Sequence, residues 1–381
     1  LRYGQGDAGQ HYLDLAALGI VADLAVQTGD TRYLLQRGLA ALRQTQRLGL
    51  QALLRNAELS RENLSEEHIA FALAPRLNAL GRLGDANPIV EFLTTADLSR
   101  ANVLAVQLEG LNAQRQLLTD QVFQAALAQI DRDPTLAEQA ALVLAHPAWP
   151  AGVIGIVASQ LVERFGRPTV LIAAPPGELA RGSARSVEGC HITAAIAAQA
   201  DLLAGYGGHP MAAGLSIPPE HIPEFRRRLS QTVQTLLGAT PAEPTLAIDG
   251  YLPLADLSLD LVADLERLAP FGPGNPPLIL ATRDLRVAGA KQVGRNQEHR
   301  VVTVVDAEGN TREVIWWNGG SLSAPAGRFD LAYVVRASTY RGQPGVQVVW
   351  RDARPIPEAV VELRPPAIQV SRKTAIPSWY Q

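Results

Sequence analysis

The stretch "RGSARSVEGCH" places Arg181, Ser183, Arg185, Ser186 and His191 within eleven residues. In an extended segment alternate side chains share a face, so Arg181, Ser183 and Arg185 would form a row of cations and a hydroxyl suited to an oxyanion. A solvated edge strand carries the same pattern. Further along, "YGGHPMAAG" (206–214) sets Gly207 and Gly208 before a lone histidine. The glycines permit close backbone approach or positive φ, and His209 would project from there as an acid, base or phosphate contact near neutral pH. A tight turn into an apolar strand accounts for the same residues without chemistry.

Three further groups carry chemical potential. "APRLNALGRLGDA" offers Arg76, Asn78 and Arg82 among glycines. Such arginines suit a phosphate where exposed backbone N–H groups point the same way, although "GRLGD" also reads as a surface turn. "LDLAALGIVADLAVQTGD" sets Asp14 and Asp23 in an apolar stretch. Burying a carboxylate is costly unless a metal or another cation neutralises it, and the alternative for Asp23 is a cap on the next helix. "VIWWNGG" puts Trp316 side by side with Trp317. On a strand they face opposite sides, one toward a core and one available as a stacking platform for a base.

The elements that must position these residues follow from periodicity. Apolar residues recur at helical spacing through the first 130 residues, broken by "TGD" with helix-start character. "SRANVLAVQLEGLNAQRQLLTDQVFQAALAQI" (99–130) has no proline and one glycine. It predicts one amphipathic helix of about 45 Å, long enough to join two domains. Beyond it, "AALVLAH", "PAGVIGIVASQLVERFG" and "TVLIAA" read as strand, helix and strand, the unit of a parallel sheet whose ligand sites lie beyond the strand ends. "SARSVEG" and "YGGHPMAAGLSI" then read as glycine-rich turns, and "EFRRRLSQTVQTLLG" as a closing helix. After a linker, "ATPAEP", short alternating segments separated by glycine predict a small barrel of OB type. The proline-rich tail from Pro355 is expected to be extended.

Composition narrows the class. The chain has 381 residues, 47% hydrophobic, with a formal charge of −3, which excludes a basic nucleic-acid coat while leaving room for a local basic groove. Only Lys291 and Lys373 are lysines among 34 cationic side chains; arginine grips phosphate with a planar fork, and a GC-rich coding bias gives the same usage. The single cysteine, Cys190, rules out an internal disulfide and fits a reducing, cytoplasmic compartment. Apolar runs stop short of the roughly 20 residues of a membrane span. The chain opens at Leu1 and its one methionine is Met211, so it is expected to begin inside something larger.

Taken in order, "LDLAALGIVADLAVQTGDTRYLLQRGL", "APRLNALGRLGDA", "AWPAGVIGIVASQLVERFGRP", "GSARSVEG" and "GYGGHPMAAGLSI" resemble the RecJ-type single-stranded-DNA exonucleases of the DHH phosphoesterase superfamily, over about residues 11–350. The resemblance implies an α/β chain: the C-terminal part of a DHH domain (1–98), a connecting helix (99–131), a DHHA1 domain with a parallel-type sheet (132–240), an OB-like domain (245–354) and a tail (355–381). It implies metal-dependent 5′ to 3′ hydrolysis of single strands to 5′-mononucleotides in DNA repair and recombination, with two Mn²⁺ or Mg²⁺ ions. Asp23 would be a metal ligand; Arg76, Asn78 and Arg82, with Ser183, Arg185, Gly207, Gly208 and His209, would hold phosphate, and His209 would also serve catalysis. Trp316, Trp317 and Arg181 would touch DNA. The Asp-His-His and Asp-x-Asp motifs that supply most of the family's metal ligands do not occur here, and Pro150 stands where many relatives carry histidine. The chain alone is therefore expected to bind metal poorly and not to cut DNA. Expected partners are single-stranded DNA and either single-strand-binding protein or a helicase, with the chain a monomer and no membrane involved. An inactive DNA-binding replication scaffold and a DHH-type oligonucleotide phosphatase are the rival readings.

Overall fold

The computed structural model describes residues 8–238, 245–294, 297–338 and 343–356. The expected linker at 239–244, and the tail beyond residue 356, lie outside the described residues. Contacts divide the chain into two compact units, Leu1–Thr245 with Pro270–Pro276, and Leu246–Ala269 with Pro277–Gln381.

The first unit opens with helices: α1 (Leu13–Ala22), α2 (Gly29–Arg43), α3 (Leu48–Asn56), the single turn α4 (Glu66–His68), α5 (Ala74–Leu83) and α6 (Pro88–Thr94). A π-helical stretch, Ile69–Leu73, joins α4 to α5, and the Ala74 N–H reaches back five residues to the Ile69 carbonyl. Pro75 follows at the start of α5, where its missing N–H is tolerated. Leu35, Leu42, Leu53, Leu64 and Ile69 are fully buried in this layer. Asp14 is buried too, and its neutralising partner is a cation: Arg47 Nε lies 3.1 Å from its carboxylate and the Thr45 hydroxyl donates at 2.7 Å.

The predicted long helix is α7 (Leu98–Arg132), about 52 Å at 1.5 Å per residue. Asp97 caps it, its carboxylate accepting from the Ser99 N–H at 2.8 Å. Leu104, Ala105 and Leu108 pack into the helical layer. Val122, Ala126 and Ile130 pack into a second core with Leu144, Val153 and Leu171. One rigid element thus spans two cores of the same unit.

After the short α8 (Thr135–Glu138) come β1 (Leu142–His146), α9 (Ala151–Phe165), β2 (Thr169–Ala173), β3 (Ala180–Arg185), α10 (Ile192–Ala197), β4 (Gly205–His209), β5 (Ala212–Ile217) and α11 (Ile222–Leu237). Gly166 ends α9 in the left-handed conformation at φ +63, where glycine carries no Cβ penalty. The sheet order is β1-β2-β3-β5-β4. The expected parallel sheet is confined to the β1–β2 pair; β2–β3, β3–β5 and β5–β4 are antiparallel. α9 is the crossover that returns β2 parallel to β1, whereas the links 174–179 and 210–211 are too short for a crossover and make β2–β3 and β4–β5 antiparallel. A further correction concerns "YGGH". Its glycines lie within β4, and the reversal into β5 is made by Pro210 and Met211, because His209 pairs directly with Ala212. "GSAR" is likewise an inner strand, β3, and not a turn or an edge.

The second unit contains β6 (Gly250–Tyr251), α12 (Leu259–Glu266), β7 (Leu280–Val293), β8 (His299–Val305), β9 (Thr311–Trp316), β10 (Phe329–Ser338) and β11 (Gly345–Pro355). Strands run β10-β11-β9-β8-β7, and β10 also pairs with β7, closing a five-stranded barrel. β9 and β11 pair in parallel, the remaining barrel pairs antiparallel. Inside, Tyr333 is fully buried and its hydroxyl lies 2.9 Å from Thr282 Oγ1, which itself donates to the Leu252 carbonyl at 2.7 Å. The Tyr333 hydroxyl is therefore the donor to Thr282.

Candidate phosphate-binding site

Burial alternates along β3 as the sequence requires. Ala180 and Ala184 face the core at 0% exposure, while Ser183 and Arg185 are half-buried and Arg181 is exposed on the other face. That second face meets the first turns of α9. A Cβ built on Gly155 would stand 3.0 Å from Arg185 Nη2 and 3.4 Å from Ser183 Oγ. Gly155 therefore leaves the space in which the guanidinium and hydroxyl lie.

The other side of α9 meets the end of α5. A Cβ on Gly152 would come within 1.9 Å of the Arg82 carbonyl oxygen, a contact only glycine permits. Arg82 Nη1 donates to the Gly152 carbonyl at 3.3 Å. "GRLGDA" sits at a helix C-terminus, where the dipole opposes an anion, so the backbone N–H groups come from α9 instead.

Arg82 and Arg185 thus converge on the start of one helix. Burial lowers the pKa of both below the ordinary guanidinium value, and for Arg185 the neighbouring Arg82 lowers it further. Arg82 is exposed as a residue, yet the surrounding protein displaces enough water to have this effect. A third arginine, Arg115 on α7, is lowered by burial and then by Arg82, with Asp120 acting in the opposite sense. None of the three forms a salt bridge with a carboxylate among the described residues. Guanidiniums that are partly dehydrated, close to another guanidinium and free of any salt bridge among the described residues are arranged for an anion.

The sheet floor beside them is nearly bare. Directly paired residues of antiparallel strands project to the same face. Ser183 pairs with Gly214, which pairs with Gly207; Arg185 pairs with Ala212, which pairs with His209. Toward β5 and β4 the row beside Ser183 thus carries no side chain, while on β2 its partner is Leu171. His209 stands two strands from Arg185 on the same face, about 10 Å away at ordinary strand spacing. It is exposed, and its carbonyl accepts from the Thr193 hydroxyl at 2.7 Å. A Cβ on Gly207 would meet nothing within 4 Å, whereas Gly208 has φ +149 and a Cβ there would clash with the Ala212 carbonyl oxygen.

The remaining expected residues fall elsewhere. Arg76 is held by Glu109, at 2.6 Å from Nε and 3.1 Å from Nη2, and so is not brought to the cluster. Asn78 is exposed on α5. Asp23 is exposed at the C-terminal end of α1, and α2 is capped at Thr28, so Asp23 does not cap the next helix. Among the described residues no group of three or more His, Cys, Asp or Glu side chains could hold a metal ion. Asp23, the one ligand that the resemblance assigns to this chain, therefore stands in no such group.

In the second unit the two tryptophans do not share a strand, since β9 ends at Trp316 and Trp317 lies in the turn that follows. Trp316 stacks on Trp350 with centroids 4.5 Å apart and planes 9° from parallel, and it packs against the barrel core. Trp317 is 48% exposed and edge-on to His299 at 4.6 Å. Sequence reasoning passed over Tyr251, half exposed with the Arg283 guanidinium 4.2 Å from its ring centre. It also passed over Arg115, Gly152 and Gly155, whose partners are remote in sequence. "NAQRQ" within an amphipathic helix carries no local signal for that role.

Comparison with known proteins agrees with these elements. The DHHA1 domain family matches residues 138–235 and the RecJ OB domain family matches residues 248–352. The single-stranded-DNA-specific exonuclease RecJ of Bacillus subtilis strain 168 is 30% identical over 377 residues, 98% of this chain and 48% of the relative. That of Dickeya dadantii strain 3937 is 33% identical over 354 residues, 88% of this chain and 60% of the relative. The crystal structure of Thermus thermophilus RecJ in complex with Mg²⁺ superposes with a TM-score of 0.77 at 31% identity, covering 92% of this chain and 53% of that one. Its Mn²⁺ complex gives the same score over 50% of its chain. The chain spans about half the length of the curated relatives it matches. The chain thus carries the DHHA1 domain and the RecJ OB domain of the RecJ family.

Proposed function

We propose that the chain serves a 5′ to 3′ exonuclease acting on single-stranded DNA, and that its own part is to hold the terminal phosphate. The observation that carries this reading is the convergence of Arg82 and Arg185, unpaired with any carboxylate among the described residues, on the first turns of α9, with the Ser183 hydroxyl between strand and helix. Each guanidinium offers a planar fork of N–H donors to phosphate oxygens, and the helix start adds a partial positive charge. The glycine and alanine floor of β4 and β5 lets a nucleotide backbone approach, with His209 at its far side to contact the end nucleotide.

The barrel supplies the second grip. Trp317 presents a stacking face outside the core, and single-strand binding on OB folds combines such stacking with backbone electrostatics. Arg181, exposed on the same sheet face as Arg185, extends the positive row toward the strand. Mn²⁺ or Mg²⁺, the ions held in the Thermus thermophilus relative, is the cofactor assigned by this reading. Asp23 is the one ligand it assigns within the chain.

The test is equilibrium binding of fluorescent oligothymidylates. A 5′-phosphorylated strand should bind about tenfold or more tightly than its 5′-hydroxyl counterpart, as one charge-assisted contact at least is lost without the phosphate. Arg185→Gln should abolish the difference; equal affinity for the two strands in the unaltered chain would contradict the reading. The rival reading is a DNA-binding scaffold that does not cut. Mn²⁺-dependent release of mononucleotides from the bound strand separates the two.

A further inference from the structure

The third arginine lies outside every motif by which the sequence resembles its family. Arg115 is half-buried on α7, and its Nε and Nη2 both donate to the Oδ1 of Asn112, at 3.2 and 2.9 Å. Asn112 is itself 3% exposed. One helical turn on, the Thr119 hydroxyl donates to the Arg115 carbonyl at 2.8 Å. The guanidinium is thus oriented from its own helix by a neutral group, which fixes its plane without cancelling its charge. An aspartate at 112 would have satisfied the same donors and neutralised them.

Its surroundings place it beside the site already described. Leu118 of α7 and Leu83 of α5 pack against one apolar cluster with Val153 of α9. On the other side of the same turns, Leu80, Leu111 and Gln114 line a common cavity of about 360 Å³. The turns that carry Arg115 and Arg82 therefore belong to two helices, α7 and α5, that pack against each other, and the Arg82 charge lowers the pKa of Arg115.

We propose that Arg115, oriented by Asn112, is a third phosphate-binding cation of this site, delivered by the helix that joins the two cores. The inference rests on the phosphate-site reading above. Three guanidiniums that form no salt bridge among the described residues match a terminal phosphate monoester, which carries close to two negative charges above its second pKa of about 6, better than an internal diester carrying one. Arg115 touches the ligand; Asn112 acts through Arg115 and is a positioning residue.

The experiment measures binding of thymidine 5′-monophosphate and of 5′-phosphorylated oligothymidylate to the whole chain across a salt series. Arg115→Gln should weaken both by about tenfold and lower the slope of log affinity against log salt by about 0.7, one phosphate contact on a single strand. Asn112→Asp keeps the size of the side chain and pairs Arg115, so it should reproduce the lost affinity and the lower slope with no fall in melting temperature. A merely structural Asn112 would not move the slope. Arg115→Lys, which keeps charge without the fork, should recover part of the affinity. If Arg115→Gln and Asn112→Asp stay within twofold of the unaltered chain while Arg185→Gln loses tenfold, this inference is wrong and the site stands. If Arg82→Gln and Arg185→Gln also leave binding unchanged, the phosphate-site reading itself fails, and this one with it.

Discussion

At the scale of single residues, glycine decides where the charges can go. Gly152 and Gly155 are a turn apart on α9, one against the Arg82 backbone and one against the Arg185 head group. The two should respond differently to an added methyl. Gly152→Ala forces backbone against backbone and should cost about 1–3 kcal/mol of stability, read as a lower denaturation midpoint. Gly155→Ala meets only the far ends of two side chains, so stability should hold within about 1 kcal/mol while affinity for a 5′-phosphorylated strand falls. Unchanged affinity in that variant would mean that Arg185 and Ser183 do not work from the positions seen. Ser183 and Arg185 stood out in the sequence because charge and hydroxyl alternate among small residues there, and Arg82 because it stands among glycines. Arg115 was not, since its meaning comes from helices that pack beside it. Arg76 looked equivalent to Arg82, and Glu109, 33 residues away, makes the difference. Asp14 looked like a metal candidate for the same reason, and Arg47 answers it.

At the scale of elements, periodicity located the helices well and strand partners poorly. The long helix and the glycine that ends α9 follow from local pattern, because a helix satisfies its hydrogen bonds within itself. A strand's partner is chosen by topology, and so the antiparallel half of the sheet and the strand character of "YGGH" were not visible. The β4–β5 hairpin gives a direct check. Gly208→Ala combines positive φ with a clash against Ala212 and should destabilise the hairpin, so that amide exchange accelerates over Gly205–Ile217 ahead of β1 and β2. Uniform protection across the sheet would show that the strained residue is accommodated. In the barrel, burial holds the Tyr333 hydroxyl above its ordinary pKa, opposed by its hydrogen bond to Thr282. A raised folded pKa means stability that is complete below about pH 10 and lost as pH rises from the unfolded value through the folded one. The barrel should therefore weaken in alkali, and Tyr333→Phe should flatten that alkaline limb while costing about 1 kcal/mol at neutral pH for the lost bond.

At the scale of the whole molecule, two family domains and one helical layer share a chain of 381 residues, and no helix among the described residues is long and apolar enough to cross a membrane. The first unit recruits Pro270–Pro276 from far along the sequence. In it Pro273 accepts from the Gln27 N–H at 2.6 Å and the Phe271 N–H donates to Glu66 at 2.9 Å. Composition alone had pointed only to a local basic groove in an acidic protein, and the proposed phosphate site would put that groove at α5, α7, α9 and β3. The central claim is that this address holds the phosphate at the end of a single strand. Its most direct measurement is the affinity ratio between 5′-phosphorylated and 5′-hydroxyl oligothymidylate, for the unaltered chain and for Arg185→Gln, at one fixed salt concentration. The account predicts a ratio of about ten or more that collapses to one in the variant; a ratio of one in the unaltered chain, or a ratio that survives the substitution, would contradict it.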